Sequence, residues 1–114
     1  MATYKVGYLI GSLAAGSINR KLAKALIRLA PDDLEFSEIS FRELPLYSYD
    51  YDEDYPQVAR DFKAAIKAAD AVLFVTPEYN RSIPGGLKNV IDWASRPYRT
   101  HALPPKPSAV VRTF

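Results

Sequence analysis

Cysteine is absent from the 114 residues, which excludes disulfides, thiolate nucleophiles and sulfur-ligated metals. Any redox chemistry must therefore come from a bound cofactor. Histidine occurs once, at His101, with no base, nucleophile or metal-binding partner beside it in sequence, so neither a metal site nor a catalytic triad is indicated. No apolar run approaches the length of a membrane span, and the opening MATYKVGYLIGS is interrupted too early for a secretory signal. A cytoplasmic location with no membrane partner is expected, and the sequon Asn80-Arg81-Ser82 then counts as a chance match. An excess of charge of one sign is also missing: the net charge is +2 with both signs interspersed, which argues against nucleic acid. The one asymmetry lies in residues 80–114, where Arg81, Lys88, Arg96, Arg99, Lys106 and Arg112 stand against Asp92. It suits either an anionic ligand or a solvated face.

The composition is that of a folding chain, 48% hydrophobic and 25% charged. Its length provides for one domain over residues 1–114 and one modest core. Lys5 to Ile10 is a short apolar segment with strand character, ended by the glycine-containing turn Gly11 to Gly16. Ser17 can cap the helix that follows, with Ile18, Leu22, Leu26 and Leu29 at helical spacing and a stop at Pro31. Leu34 to Ile39 is the second expected strand. Phe41 to Tyr55 then lacks periodicity, and its tyrosines at 47, 49, 51 and 55 suit either a cover over a cleft or a surface loop held by aromatic packing.

Pro56 opens a second helix carrying Val58, Phe62, Ile66 and Ala69 on one stripe. Ala71 to Thr76 is nearly continuous apolar sequence, as in a parallel strand covered on both faces. Leu87, Val90, Ile91 and Ala94 mark a third helix, a stiff proline-rich connection spans 97–107, and Ser108 to Phe114 is a fourth strand. Alternating strands and helices with right-handed crossovers make an α/β, three-layer parallel sheet. Such sheets bind ligands beyond the carboxyl ends of their strands, so the loops after strands one and three are the candidate sites.

In the first loop, exposed amides, the Ser12 and Ser17 hydroxyls and the Asn19 amide can surround a phosphate at the positive end of a helix. Gly11 and Gly16 permit tight turning and close approach. An ordinary capped turn explains the segment equally well. It lacks the lysine of a P-loop and does not match the G-x-G-x-x-G dinucleotide pattern. The second loop, Thr76-Pro-Glu-Tyr-Asn-Arg-Ser-Ile-Pro-Gly-Gly-Leu-Lys-Asn89, is more specific. Its prolines and glycines suggest an unusual path that displays an aromatic ring, amides and hydroxyls, as a planar ring system with polar edges requires.

G-S-L-x-x-x-S-x-N-R in the first loop and P-E-Y-N-x-S-x-P-G-x-L-K-N-x-x-D-W in the second resemble the NADPH-dependent FMN reductase family, which includes bacterial quinone and chromate reductases. The resemblance implies a flavodoxin-like sandwich. It assigns the FMN phosphate to Ser12, Ser17, Ile18 and Asn19 beside Gly11, and the flavin ring to Pro77, Glu78, Tyr79 and Asn80, with Ser82 shaping the turn. Asp92 and Trp93 then serve packing or oligomerisation. It further implies hydride transfer from NAD(P)H through FMN to a quinone or similar small acceptor, without a catalytic side chain, in a homodimer or homotetramer.

Two departures stand out. Ala14 replaces an arginine common in the family, and Arg112-Thr113-Phe114 replaces a small, glycine-rich ending. The sequence therefore leads us to expect a C-terminally incomplete sandwich lacking a fifth strand and closing helix. Its isolated monomer would be marginal, whether its sheet is completed in trans by another chain or the chain is a truncated product. The alternatives are a non-catalytic flavodoxin-like interaction or structural module, a product with impaired flavin binding, and an electron carrier. The last is disfavoured by the lack of an acidic docking surface.

Overall fold

The computed structural model describes residues 3–96 and 106–113. His101, Arg99, Phe114 and most of the stiff connection expected over 97–107 lie outside the described residues. Four parallel strands, β1 (Tyr4–Ile10), β2 (Leu34–Glu38), β3 (Ala71–Pro77) and β4 (Ser108–Thr113), form one sheet in the order β2-β1-β3-β4. Three helices connect them: α1 (Ile18–Leu29), α2 (Gln57–Ala68) and α3 (Gly85–Ala94). None of the described helices is long and apolar enough to cross a membrane.

Side chains alternate across a strand, so neighbours in β1 enter opposite layers. Leu9 joins Phe62, Ile66, Leu87, Val90 and Trp93 under α2 and α3. Ile10 joins Val75 and Ala23 under α1. The α1 stripe is narrower than its apolar spacing suggests. Leu22 and Leu26 pack against the core, whereas Ile18 is 57% and Leu29 83% exposed, because the buried side of α1 is centred on Asn19 and Ala23 and leaves Ile18 and Leu29 at its margin.

The expectation of a C-terminally incomplete fold is corrected here. β4 is registered on β3 at six positions, from Val72↔Ser108 to Pro77↔Thr113. The residues expected to spoil its end are themselves held. Arg112 Nη1 pairs with Glu78 Oε2 at 2.8 Å, the Glu78 amide donates to the Thr113 carbonyl at 3.2 Å, and the Thr113 hydroxyl donates to Asn19 Oδ1 at 2.9 Å. At the other end of β4, Lys106 Nζ caps the C-terminus of α2. It donates to the carbonyls of Ile66 (2.9 Å), Lys67 (3.0 Å) and Ala69, where the helix dipole favours a cation.

The segment from Phe41 to Tyr55 matches the second reading, a surface segment held by aromatic packing. It wraps the fully buried Trp93, whose ring meets Tyr47 and Tyr55 edge-on at 5.1 and 5.3 Å and Tyr51 at 5.2 Å. Three hydrogen bonds fasten it to α3. Trp93 Nε1 and Asn89 Nδ2 both donate to the Pro45 carbonyl, at 2.7 and 2.9 Å, and the Tyr47 amide donates to Asn89 Oδ1 at 2.8 Å. Trp93 thus serves packing within the chain.

Replacing Asn89 by alanine strands the Tyr47 amide and removes a donor to Pro45. The expected loss is about 2 kcal/mol in urea unfolding. A variant as stable as the parent would show that the segment is held by its rings and the Trp93–Pro45 hydrogen bond without help from Asn89.

Candidate functional site

Because all four strands are parallel, their carboxyl ends share one rim of the sheet. From β1 the chain moves outward to β2 and then returns to β3 on the other side, so the order reverses between β1 and β3. Both candidate loops leave the sheet at that point, side by side. Ile10 is the register partner of Val75, and the Gly11 amide donates to the Val75 carbonyl at 2.7 Å. Gly11 is required here. A Cβ would lie 2.7 Å from Thr76 Oγ1 and 3.2 Å from Thr76 Cα, and the backbone atom cannot swing away. Gly16, by contrast, has open space around it.

In the first loop the hydroxyls mostly shape the chain. Ser12 Oγ accepts from the Ala14 amide at 3.3 Å, and Ser17, buried, caps α1 by accepting from the Asn19 amide at 3.1 Å. The Arg20 amide donates to the Ser17 carbonyl, and the amide of Ile18 has no protein acceptor among the described residues. No acidic side chain occupies the first turn of α1. Asn19 is 2% exposed, with its oxygen turned to Thr113.

In the second loop, Tyr79 and Ser82 exchange backbone hydrogen bonds of 3.0 and 2.9 Å around Asn80 and Arg81, whose φ angles are 51° and 62°. Two consecutive left-handed residues define a tight hairpin turn of the primed type. The unusual path thus falls on Asn80 and Arg81. The glycines at 85 and 86 lie in the first turn of α3, after Pro84. The turn lifts the Tyr79 ring off the rim, 52% exposed. Beside it, Glu78 carries an ion pair with Arg112, which balances its charge.

Arg42, Arg112 and Thr113, which the sequence did not place in either loop, contact the two candidate loops. Arg42 follows β2 and donates through Nη2 to the Leu13 carbonyl at 3.1 Å, bringing a cation to a loop that has Ala14 in place of one. The rule that ligands gather beyond strand ends, applied to β2 and β4 as well, points to all three. The Arg20 guanidinium forks onto Glu38 at 2.8 and 3.0 Å.

The model of the NADPH-dependent FMN reductase family matches residues 4–114. The chain belongs to this family. Among its relatives, 2-hydroxy-1,4-benzoquinone reductase from a Burkholderia species is 52% identical over 109 residues, which cover 96% of this chain and 60% of that protein. A quinone reductase of Pseudomonas putida is 50% identical over 95% of this chain and 59% of its own length. In structure, the flavoenzyme FerB, an NAD(P)H:(acceptor) oxidoreductase from Paracoccus denitrificans, superposes with a TM-score of 0.92 at 45% identity. The match covers 98% of this chain and 62% of that one. The superposition includes nearly all of the chain, so the end expected to be defective follows the family's fold. The chain spans about three-fifths of the length of these relatives.

The Arg20 hydrogen bonds hold the Glu38 carboxyl below its usual 4.5, against the opposing effect of burial. Their stabilisation is present above that unfolded value and is lost as pH falls through the lower folded value. The side chains are 36% and 33% exposed, so solvent screening keeps the effect under about 1 kcal/mol. Arg20→Gln is expected to lower stability slightly at about pH 6 and not at about pH 2, as measured by denaturant unfolding. An equal difference at both values would assign the loss to packing.

Proposed function

We propose that the rim formed by the two loops binds FMN and that the chain carries the flavin-holding part of an NAD(P)H:quinone oxidoreductase. The observation that supports this most is the adjacency of the loops at the point where strand order reverses: an anion-type helix start lies beside a turn that displays an aromatic ring. The names of the relatives, two of them quinone reductases, agree with it.

The donor set fits the group. At the phosphate end are the unpaired Ile18 amide, the buried Asn19 amide and the Ser12 and Ser17 hydroxyls, with Gly11 setting the close approach and no acid in the first turn. At the ring end, Pro77 and Tyr79 offer apolar surface, while Asn80 and Ser82 offer polar rim groups. Glu78 is neutralised by Arg112 and so does not oppose an electron-rich ring. When bound, FMN supplies the redox chemistry, accepting a hydride from a nicotinamide dinucleotide and delivering it to a quinone. The chain's own work is positioning: the first loop anchors the phosphate, and the rigid turn at Tyr79 to Ser82 fixes the plane of the ring. No side-chain base or nucleophile is needed for that division of labour.

Assembly as a homodimer or homotetramer belongs to the same reading. Apolar side chains left in solvent support it, with Leu46 81% and Val110 66% exposed, the latter on β4 at the outer edge of the described sheet. Sizing by light scattering at low micromolar concentration is expected to return a multiple of the chain mass, and a lone folded monomer would contradict it.

The functional reading is tested by adding FMN to the purified chain, recording the visible spectrum after removal of free flavin, and following NAD(P)H oxidation with a benzoquinone. About one FMN retained per chain and quinone-dependent oxidation are expected. Failure to retain FMN would leave a flavodoxin-like interaction module instead.

A further inference from the structure

Arg112 and Thr113, at the end of β4, sit against both loops. Pairing with β3 places Thr113 opposite Pro77, and its carbonyl accepts from the Glu78 amide. Arg112 fixes the Glu78 carboxylate from the same strand. The Thr113 hydroxyl then reaches across to α1 and donates to Asn19 Oδ1 at 2.9 Å. A contact between residues 94 positions apart thus joins the first loop to the end of β4.

A carboxamide is nearly symmetric in shape but not in function, with an acceptor at one end and two donors at the other. Asn19 is 2% exposed, so which end faces the ligand is decided by the protein rather than by water. An oxygen directed at a phosphate repels it, whereas an amino group binds it through charge-assisted hydrogen bonds. With the oxygen engaged by Thr113, the amino group is the end left for an anion.

We propose that Thr113 is a positioning residue that orients the Asn19 carboxamide with its amino group toward the phosphate and so sets the preference for phosphorylated over unphosphorylated flavin. The inference rests on the FMN reading of the site. Without the hydroxyl, the anion-facing orientation leaves the Asn19 oxygen unpaired against a methyl group, a buried acceptor with no donor.

The test is flavin fluorescence quenching with FMN and with riboflavin, which lacks the phosphate, on the parent chain and on Thr113→Val, Thr113→Ala and Thr113→Ser. Thermal melting of each variant without ligand accompanies it. Thr113→Val is expected to weaken FMN about 5- to 20-fold, the size of one buried unsatisfied acceptor, and to change riboflavin affinity less than about twofold. Serine restores the parent's discrimination. If valine does not fold at this position, alanine carries the same expectation.

Equal losses for both flavins would show a general loosening of the rim and overturn the proposal. So would an unchanged FMN affinity, or a serine variant that behaves like valine. A parent chain that binds neither flavin would instead defeat the FMN reading itself, and this inference with it.

Discussion

The parallel pairing of β1 with β3 is the constraint on which the rest of the structure depends. The strands are separated in sequence by α1, β2 and α2, yet their ends lie in register at Ile10 and Val75, and the Gly11 amide continues the ladder by donating to Val75. The approach at Gly11 leaves no room for a Cβ. Without that closeness, the helix start at Ser17 and the turn at Tyr79 would be two ordinary connections. With it, they are the two halves of one rim. The core supports the arrangement from both faces, because Leu9 and Ile10 anchor the same strand in opposite layers.

The remaining elements restrain that rim from its flanks. On the β2 side, Arg42 holds the Leu13 carbonyl while Arg20 and Glu38 tie α1 to the end of β2. On the β4 side, Arg112 and Thr113 hold one residue of each loop. Below, the segment around Trp93 braces α3, the helix that the second loop enters. A site whose task is to orient a cofactor needs fixed surroundings more than reactive side chains.

Much of this was legible in the sequence because it is encoded locally. The strand and helix order follows from apolar periodicity, and the two loops from their position after apolar strands. What was not legible arises between distant segments. Asn19 and Thr113 meet only because α1 crosses over the sheet toward β4, and Arg112 meets Glu78 only through the β3–β4 register. The ending Arg112-Thr113 therefore looked like damage, whereas in the fold it is a pair of contacts. Tyr47, Tyr51 and Tyr55 surround one ring while Tyr49 between them is exposed, so the segment does not read as one face of a helix or strand. Glycine misled in the second loop: the left-handed positions are Asn80 and Arg81, held by the paired backbones of Tyr79 and Ser82.

The central claim is that one ligand spans both loops. A crystal structure of the chain grown with FMN tests it most directly. The phosphate is expected at Ser12 to Asn19 and the ring against Pro77 to Ser82, across the Gly11 junction. Density for the flavin elsewhere on the molecule, or a phosphate in the first loop with the ring directed away from Tyr79, would contradict it.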